Sequence, residues 1–117
     1  MTFNQDLLKQ PFSKISIRDL VQNHAVQMRK SPMVWIQGNL KRSNGVIAKL
    51  EDAENSGFSI TVTSIPTSLK SGQYCQCLGE ITSTGEIRAI KAVVIESSLL
   101  KEMWSYELQD FKRAALR

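Results

Sequence analysis

From Met33 the apolar positions of the chain recur with a period of two. In MVWIQGNLKR, Val34, Ile36, Gly38 and Leu40 fall on one face. Met33, Trp35, Gln37 and Asn39 take the other. The tripeptide Ser43–Gly45 is a hairpin turn signal. Val46, Ala48 and Leu50 then face inward, and the ENSG stretch ending at Gly57 turns the chain again. FSITVT alternates with Phe58, Ile60 and Val62 inside and Ser59, Thr61 and Thr63 outside. A polar connector carrying Pro66 and Gly72 leads to QYCQCLGEI, with Cys75, Cys77, Gly79 and Ile81 on one face. A turn through Gly85 precedes the last run, IRAIKAVVIES. The pattern is three strands in a meander, a connector and a hairpin, which is the order of a five-stranded OB-fold barrel. Glycines at positions 38 and 79 suit the tight bends of a small barrel.

Outside this block the period is helical. After Ser97, a good N-cap residue, the positions Leu100, Met103, Trp104, Leu108, Phe111 and Ala115 form one stripe. Leu99 and Tyr106 widen it beyond what a helix packed only on its own barrel requires. A face of that width predicts two contacts: the chain's own barrel and a second protein. Upstream, SKISIRDLVQNHAVQ passes from alternation at Ile15 and Ile17 to helical spacing at Leu20 and Val21, an extended piece leading into a short helix. The expected organisation is an N-terminal arm and short helix over 1–32, the barrel over 33–97 and a C-terminal helix over 98–117. The fold class is all-β with a C-terminal helix.

The length of 117 residues is that of one domain, and 42% hydrophobic with 22% charged residues is ordinary globular composition. A net charge of +4 admits a polyanionic partner. The cations are scattered, however, and adjacent only at Arg29-Lys30, Lys41-Arg42 and Lys112-Arg113. Cys75 and Cys77 share one strand face and read as small core residues, in keeping with a reducing compartment. The first twelve residues lack the apolar run of a signal peptide, and no stretch has the length of a membrane helix, so a soluble intracellular chain with no membrane partner is expected.

No catalytic constellation is present. His24 is the only histidine, no phosphate-binding glycine loop occurs, and no serine sits in a nucleophile elbow. The chain is expected not to be an enzyme and to need no cofactor or metal. The acidic pair Glu51-Asp52 falls in a turn, where solvation is the expectation. Single-strand-binding barrels carry aromatic platforms on strands two and three, each worth about 1–3 kcal/mol per stacked base. Here those strands offer Phe58, phased inward, and present Ile47, Lys49, Ser59, Thr61 and Thr63 outward. Any DNA contact is therefore expected to be weak or indirect.

Two residues break the barrel pattern. Trp35 points away from the barrel core, so either the arm or terminal helix covers it, or a partner does. Lys91 interrupts AIKAVVI; either a bulge turns it to solvent or it is paired across an interface.

Four stretches, VWIQGNL (34–40), GQYCQCLGEI (72–81), IRAIKAVVI (87–95) and EMWSYELQDF (102–111), together resemble the RecQ-mediated genome instability protein 2 family. The resemblance spans 33–113, with a weaker match at 13–22. It implies a non-catalytic nuclear OB-fold subunit bound to the C-terminal OB-fold of RecQ-mediated genome instability protein 1. Through it the chain would join topoisomerase III alpha and a Bloom-type RecQ helicase in double Holliday junction dissolution and DNA repair. A Fanconi anaemia group M peptide is a further implied partner. The matching contact positions are Lys14, Trp35, Lys91 and Trp104, and the terminal helix would offer Trp104 with Met103, Leu108 and Phe111 to the partner barrel. The N-terminal arm and the loop between strands two and three depart from the animal pattern, which bears most on the peptide groove. The alternative is a small single-stranded-DNA-binding subunit of a replication-protein-A-like or telomere-capping complex, which shares the architecture.

Overall fold

The structure, a computed structural model, describes residues 12–42 and 47–115. The expected turn at Ser43–Gly45, the inward Val46 and most of the N-terminal arm lie outside the described residues. The elements are β1 (Ser13–Lys14), α1 (Ile17–Lys30), β2 (Met33–Arg42), β3 (Ala48–Glu51), β4 (Ser59–Thr63), β5 (Tyr74–Ile81), β6 (Ile87–Val94) and α2 (Ser98–Ala115).

The sheet runs β1-β2-β3-β4-β6-β5, and β5 returns to pair with β2. The five strands β2 to β6 thus close into a barrel, and the fold is an OB-fold with a C-terminal helix. The long strand β2 makes closure possible. Its first part pairs with β5 from Met33↔Glu80 to Asn39↔Tyr74, and its last part pairs with β3 from Asn39↔Glu51 to Arg42↔Ala48. Gly38 sits near that crossover. A Cβ there would collide with the Glu51 carbonyl oxygen and Ile17 Cδ1, so only glycine lets the strands approach. The seam between β4 and β6 is parallel and short, Val62↔Ile87 and Thr63↔Arg88.

The core combines inward residues of every barrel strand with Ile17 and Leu20 of α1, which also form part of the buried cluster. Cys75 and Cys77 are buried free thiols, as the strand phase required. The helix α1 runs 14 residues, longer than the short helix expected. It starts at Ser16, whose Oγ accepts from the Asp19 N–H at 3.1 Å, and it is kinked at Asn23. Val21, read as part of its apolar set, is exposed. β1 pairs in parallel with β2 through Ser13↔Val34 and Lys14↔Trp35, so part of the expected arm is a strand of the sheet.

Three expectations need correction. Asp52 is buried, not solvated. Its Oδ1 accepts from the Glu54 and Asn55 N–H groups at 2.9 and 3.2 Å, and its Oδ2 accepts from the Arg18 N–H at 2.9 Å. One carboxylate thus forms the β3–β4 turn and caps the first turn of α1. Phe58, phased inward, is only half-buried because strand β4 begins one residue later. Met33 and Gln37, phased outward, are buried. The outer side of β2 is not a solvent face.

Candidate functional site

Helix α2 begins at the Ser97 cap, whose Oγ accepts from the Leu100 N–H at 3.4 Å. It then crosses the outer faces of three strands in turn. Lys101 Nζ lies 4.7 Å from the Tyr74 ring centroid on β5. The Trp104 ring stacks on Trp35 of β2, with centroids 6.4 Å apart and planes at 27°. Glu107 pairs with Lys14 of β1 at 3.5 Å, and Lys112 pairs with Asp19 of α1 at 3.1 Å. Lys14 closes the arrangement with its Nζ 4.5 Å from the Trp35 ring centroid. Trp35 therefore has a cation beside its ring and an indole stacked on it. Its Nε1 is buried and finds no hydrogen-bond acceptor among the described residues.

Beneath the helix lies a polar floor. The Tyr74 hydroxyl donates to Gln37 Oε1 at 3.1 Å, and Gln37 Nε2 reaches Gln76 Oε1 at 3.4 Å. Burial, with the charges of Asp52, Glu54 and Glu107, pushes the Tyr74 hydroxyl up to about 12. At Asp19 burial opposes ionisation, but the Lys112 ammonium, the Ser16 hydroxyl and the Arg18 guanidinium outweigh it and hold the carboxyl below its usual range.

Of the residues of α2 expected to face a partner, Met103 is exposed, whereas Trp104, Leu108 and Phe111 turn toward the chain's own barrel. Trp104 is 5% exposed and faces its own barrel, with Leu108 and Phe111 half-buried on the same side. The free side carries Leu99, Leu100, Met103 and Tyr106, exposed at 62%, 52%, 44% and 67%. At about 100° per residue these four fall on one flank of the helix. Exposed Val93 belongs to the outer face of β6, opposite Gln76 of β5. The reason is Trp35: it lies in the path of α2 and takes Trp104 as its cover.

Among the four positions implied by the resemblance, Lys14, Trp35 and Trp104 come together in one cluster. Lys91 lies apart. Gly79 pairs with Ala89 and Leu78 with Lys91, so the strand carries one extra residue, Ile90, and the bulge leaves Lys91 exposed. No ion pair involves it among the described residues. β4 pairs only with the first residues of β6, and a bulge with an outward lysine is a known means of blunting a strand edge. Sequence reasoning missed Tyr74, Gln37 and Asp52. Tyr74 had a usable signal, since it shares the outward phase of Gln76 and faces Asn39 across the ladder.

The outer face of β3 and β4 presents exposed Ile47, Lys49 and Ser59 with half-buried Thr61 and Thr63, and the neighbouring Lys41 pairs with Glu51 at 3.0 Å. It carries no aromatic platform. Among the described residues no group of three or more His, Cys, Asp or Glu could hold a metal ion. No described helix is long and apolar enough to cross a membrane.

No family model and no curated protein matches the chain. Solved structures do. The chain is similar to a chain of the yeast Stn1 and Ten1 structure, with TM-score 0.65 and 13% identity over 96% of this chain and 80% of that one. It is similar to the telomere capping protein Ten1 from Saccharomyces pombe, with TM-score 0.58 and 15% identity over 85% of this chain and 99% of that one. It is also similar to a chain of U. maydis Replication protein A bound to ssDNA, with TM-score 0.57 and 12% identity over 83% and 89%. At such identities the likeness establishes the OB-fold.

Proposed function

We propose that this chain is a small non-catalytic OB-fold subunit of a nuclear telomere-capping or replication-protein-A-like complex, and that it assembles with a second OB-fold chain through α2. The observation that carries this is the free apolar flank of α2, Leu99, Leu100, Met103 and Tyr106, on a helix whose adjoining face is already seated on its own barrel. The likeness to structures of Ten1, of Stn1 with Ten1 and of Replication protein A supports the choice of complex. The bare β3–β4 face supports a role in which DNA is engaged weakly or through the partner.

Membership of the RecQ-mediated genome instability protein 2 family is a second proposal. It is favoured by the convergence of Lys14, Trp35 and Trp104 into one cluster. It would place the chain with RecQ-mediated genome instability protein 1, topoisomerase III alpha and a Bloom-type RecQ helicase, with a Fanconi anaemia group M peptide as a further ligand.

The test is affinity purification of the tagged chain from its own cells, beside a Leu100→Glu/Met103→Glu variant. Both positions are exposed, so the variant should keep its stability within about 0.5 kcal/mol. Stn1-type or Replication protein A subunits that co-elute with wild type and vanish with the variant bear out the first proposal. Topoisomerase III alpha and a RecQ helicase in their place bear out the second. Retention of all partners by the variant removes the apolar flank from the interface.

A further inference from the structure

Along α2 the positions Leu99, Met103, Tyr106, Asp110 and Arg113 follow one another at steps of four and three residues in alternation. That is a heptad seam, the spacing at which one helix packs on another knobs-into-holes. At about 100° per residue the five fall within an arc of about 80°, and its nearest member, Met103, is turned about 100° from Trp104. The seam therefore faces away from the barrel, and all five residues are exposed. Its first half, Leu99, Met103 and Tyr106, is apolar. Its second half, Asp110 and Arg113, is charged, and neither charge has an ion-pair partner among the described residues.

These two charges decide what the seam accepts. In a parallel pair of two copies, each seam residue meets its own counterpart, so Asp110 faces Asp110 and Arg113 faces Arg113. Like charges in facing positions are destabilising. In an antiparallel pair, Met103 of each copy can pack on Tyr106 of the other, but Asp110 is then set against Leu99. Shifting the register to pack Met103 on Leu99 sets Tyr106 against Glu96, an exposed carboxylate before the helix begins. The antiparallel register that does pair Asp110 with Arg113 carries the apolar half of each seam past the other helix, which ends at Ala115. No register of two copies satisfies both halves.

We propose that α2 is one strand of a two-helix pair whose other strand is a helix of a different chain. That helix carries apolar residues against Leu99, Met103 and Tyr106, a basic residue against Asp110 and an acidic residue against Arg113. The apolar half of the seam supplies the buried contact. Asp110 and Arg113 fix the register and reject a second copy of this chain. The inference rests on the reading of α2 as the assembly face and states the chemistry of the surface it takes.

The experiment has two arms, both on the full chain. In sedimentation across the micromolar range, wild type should be monomeric. An Asp110→Leu/Arg113→Leu variant, both positions exposed, completes an apolar seam and should dimerise, and adding Met103→Glu should return it to monomer. A wild-type dimer that Met103→Glu dissolves makes a second copy the occupant and overturns the proposal. So does an Asp110→Leu/Arg113→Leu variant that stays monomeric, or whose dimer ignores Met103→Glu. In affinity purification from its own cells, an Asp110→Arg/Arg113→Asp variant should hold the partner of wild type about tenfold more weakly, as expected for two exposed ion pairs turned to repulsion. Unchanged capture by that variant, with loss in the Leu100→Glu/Met103→Glu variant, overturns the charge pairing and leaves assembly through α2 standing. Capture retained by both variants overturns both readings.

Discussion

Trp104→Ala tests how α2 is held. The side chain is 5% exposed, so almost all of a tryptophan's roughly 150–250 Å² is out of water. At about 25 cal/mol per Å² that burial is worth about 4–6 kcal/mol, and the stack on Trp35 adds about 0.5–1.5 kcal/mol. Alanine keeps only a small part, so the expected loss is about 3–5 kcal/mol. What else holds the helix is weaker. The pairs Lys14–Glu107 and Asp19–Lys112 involve part-exposed side chains and contribute about 0.2–1 kcal/mol each. The loss removes the largest single contribution to the attachment and leaves half-buried Leu108 and Phe111, the Lys101 contact with Tyr74 and the two ion pairs, so α2 should loosen from the barrel. The barrel itself should survive, because its buried cluster contains no residue of α2. Hydrogen exchange is the assay. In the variant, amides from Met103 to Phe111 should lose protection while those of β2 and β5 keep theirs, and Trp35 emission should shift to the red as its cover departs. Retained protection in α2 with unshifted Trp35 emission would refute the seating of Trp104. Simultaneous loss of protection in β2 and β5 would refute the independence of the barrel.

Two further outcomes follow from single residues. Asp52→Ala leaves three backbone N–H groups without their acceptor, at about 1–3 kcal/mol for each that stays dry, so a loss of about 3 kcal/mol in urea unfolding is expected. A change below about 0.5 kcal/mol would show that water replaces the carboxylate. The second outcome concerns alkaline pH. Burial, aided by neighbouring anions, pushes the Tyr74 hydroxyl from 10.0 to about 12, and burial with the adjacent Cys75 pushes the Cys77 thiol from 9.0 to about 12. Both groups bind their protons more tightly in the fold, so the fold's advantage is whole below pH 9.0 and is lost as pH rises toward about 12. The urea midpoint should fall through that window by the equivalent of about 1.4 kcal/mol per pH unit per group. Cys77→Ala should delay the onset and Tyr74→Phe should flatten the upper part, whereas a midpoint constant to about pH 11 contradicts the burial of both.

The barrel was legible in the sequence because its strands alternate. Ile60 and Val62 inside, Cys75 and Cys77 inside, and Lys49 and Ser59 outside all follow from a period of two. Periodicity orients a residue relative to its own element and says nothing of what crosses that element later. Trp35 breaks the strand phase and needs cover, and Trp104 lies in the apolar stripe of α2. Nothing local says that the cover of one is the other, because they lie on elements that meet only after the barrel has closed. The same limit hid Asp52, whose decisive contact is the Arg18 amide, 34 residues earlier in the chain. At Lys91 the alternatives were a bulge or a paired charge, and the ladder registers a bulge between Leu78 and Gly79.

The seating of α2 also bears on how the chain would meet a partner. A helix of 18 residues with four large apolar side chains in water would be costly to order during an encounter. Stacked on Trp35, it is ordered beforehand, and its apolar flank is presented at fixed geometry. Preorganisation of this kind raises affinity by lowering the entropy lost on binding. Trp104→Ala should then weaken partner capture without Trp104 touching the partner, through the ordering cost alone. Met103→Glu should weaken capture while α2 stays docked and Trp35 emission is unchanged. The two variants separate the supporting side of the helix from the contacting side. If Met103→Glu instead releases α2 from the barrel, the apolar flank is not free and the division of the helix into two working faces is wrong.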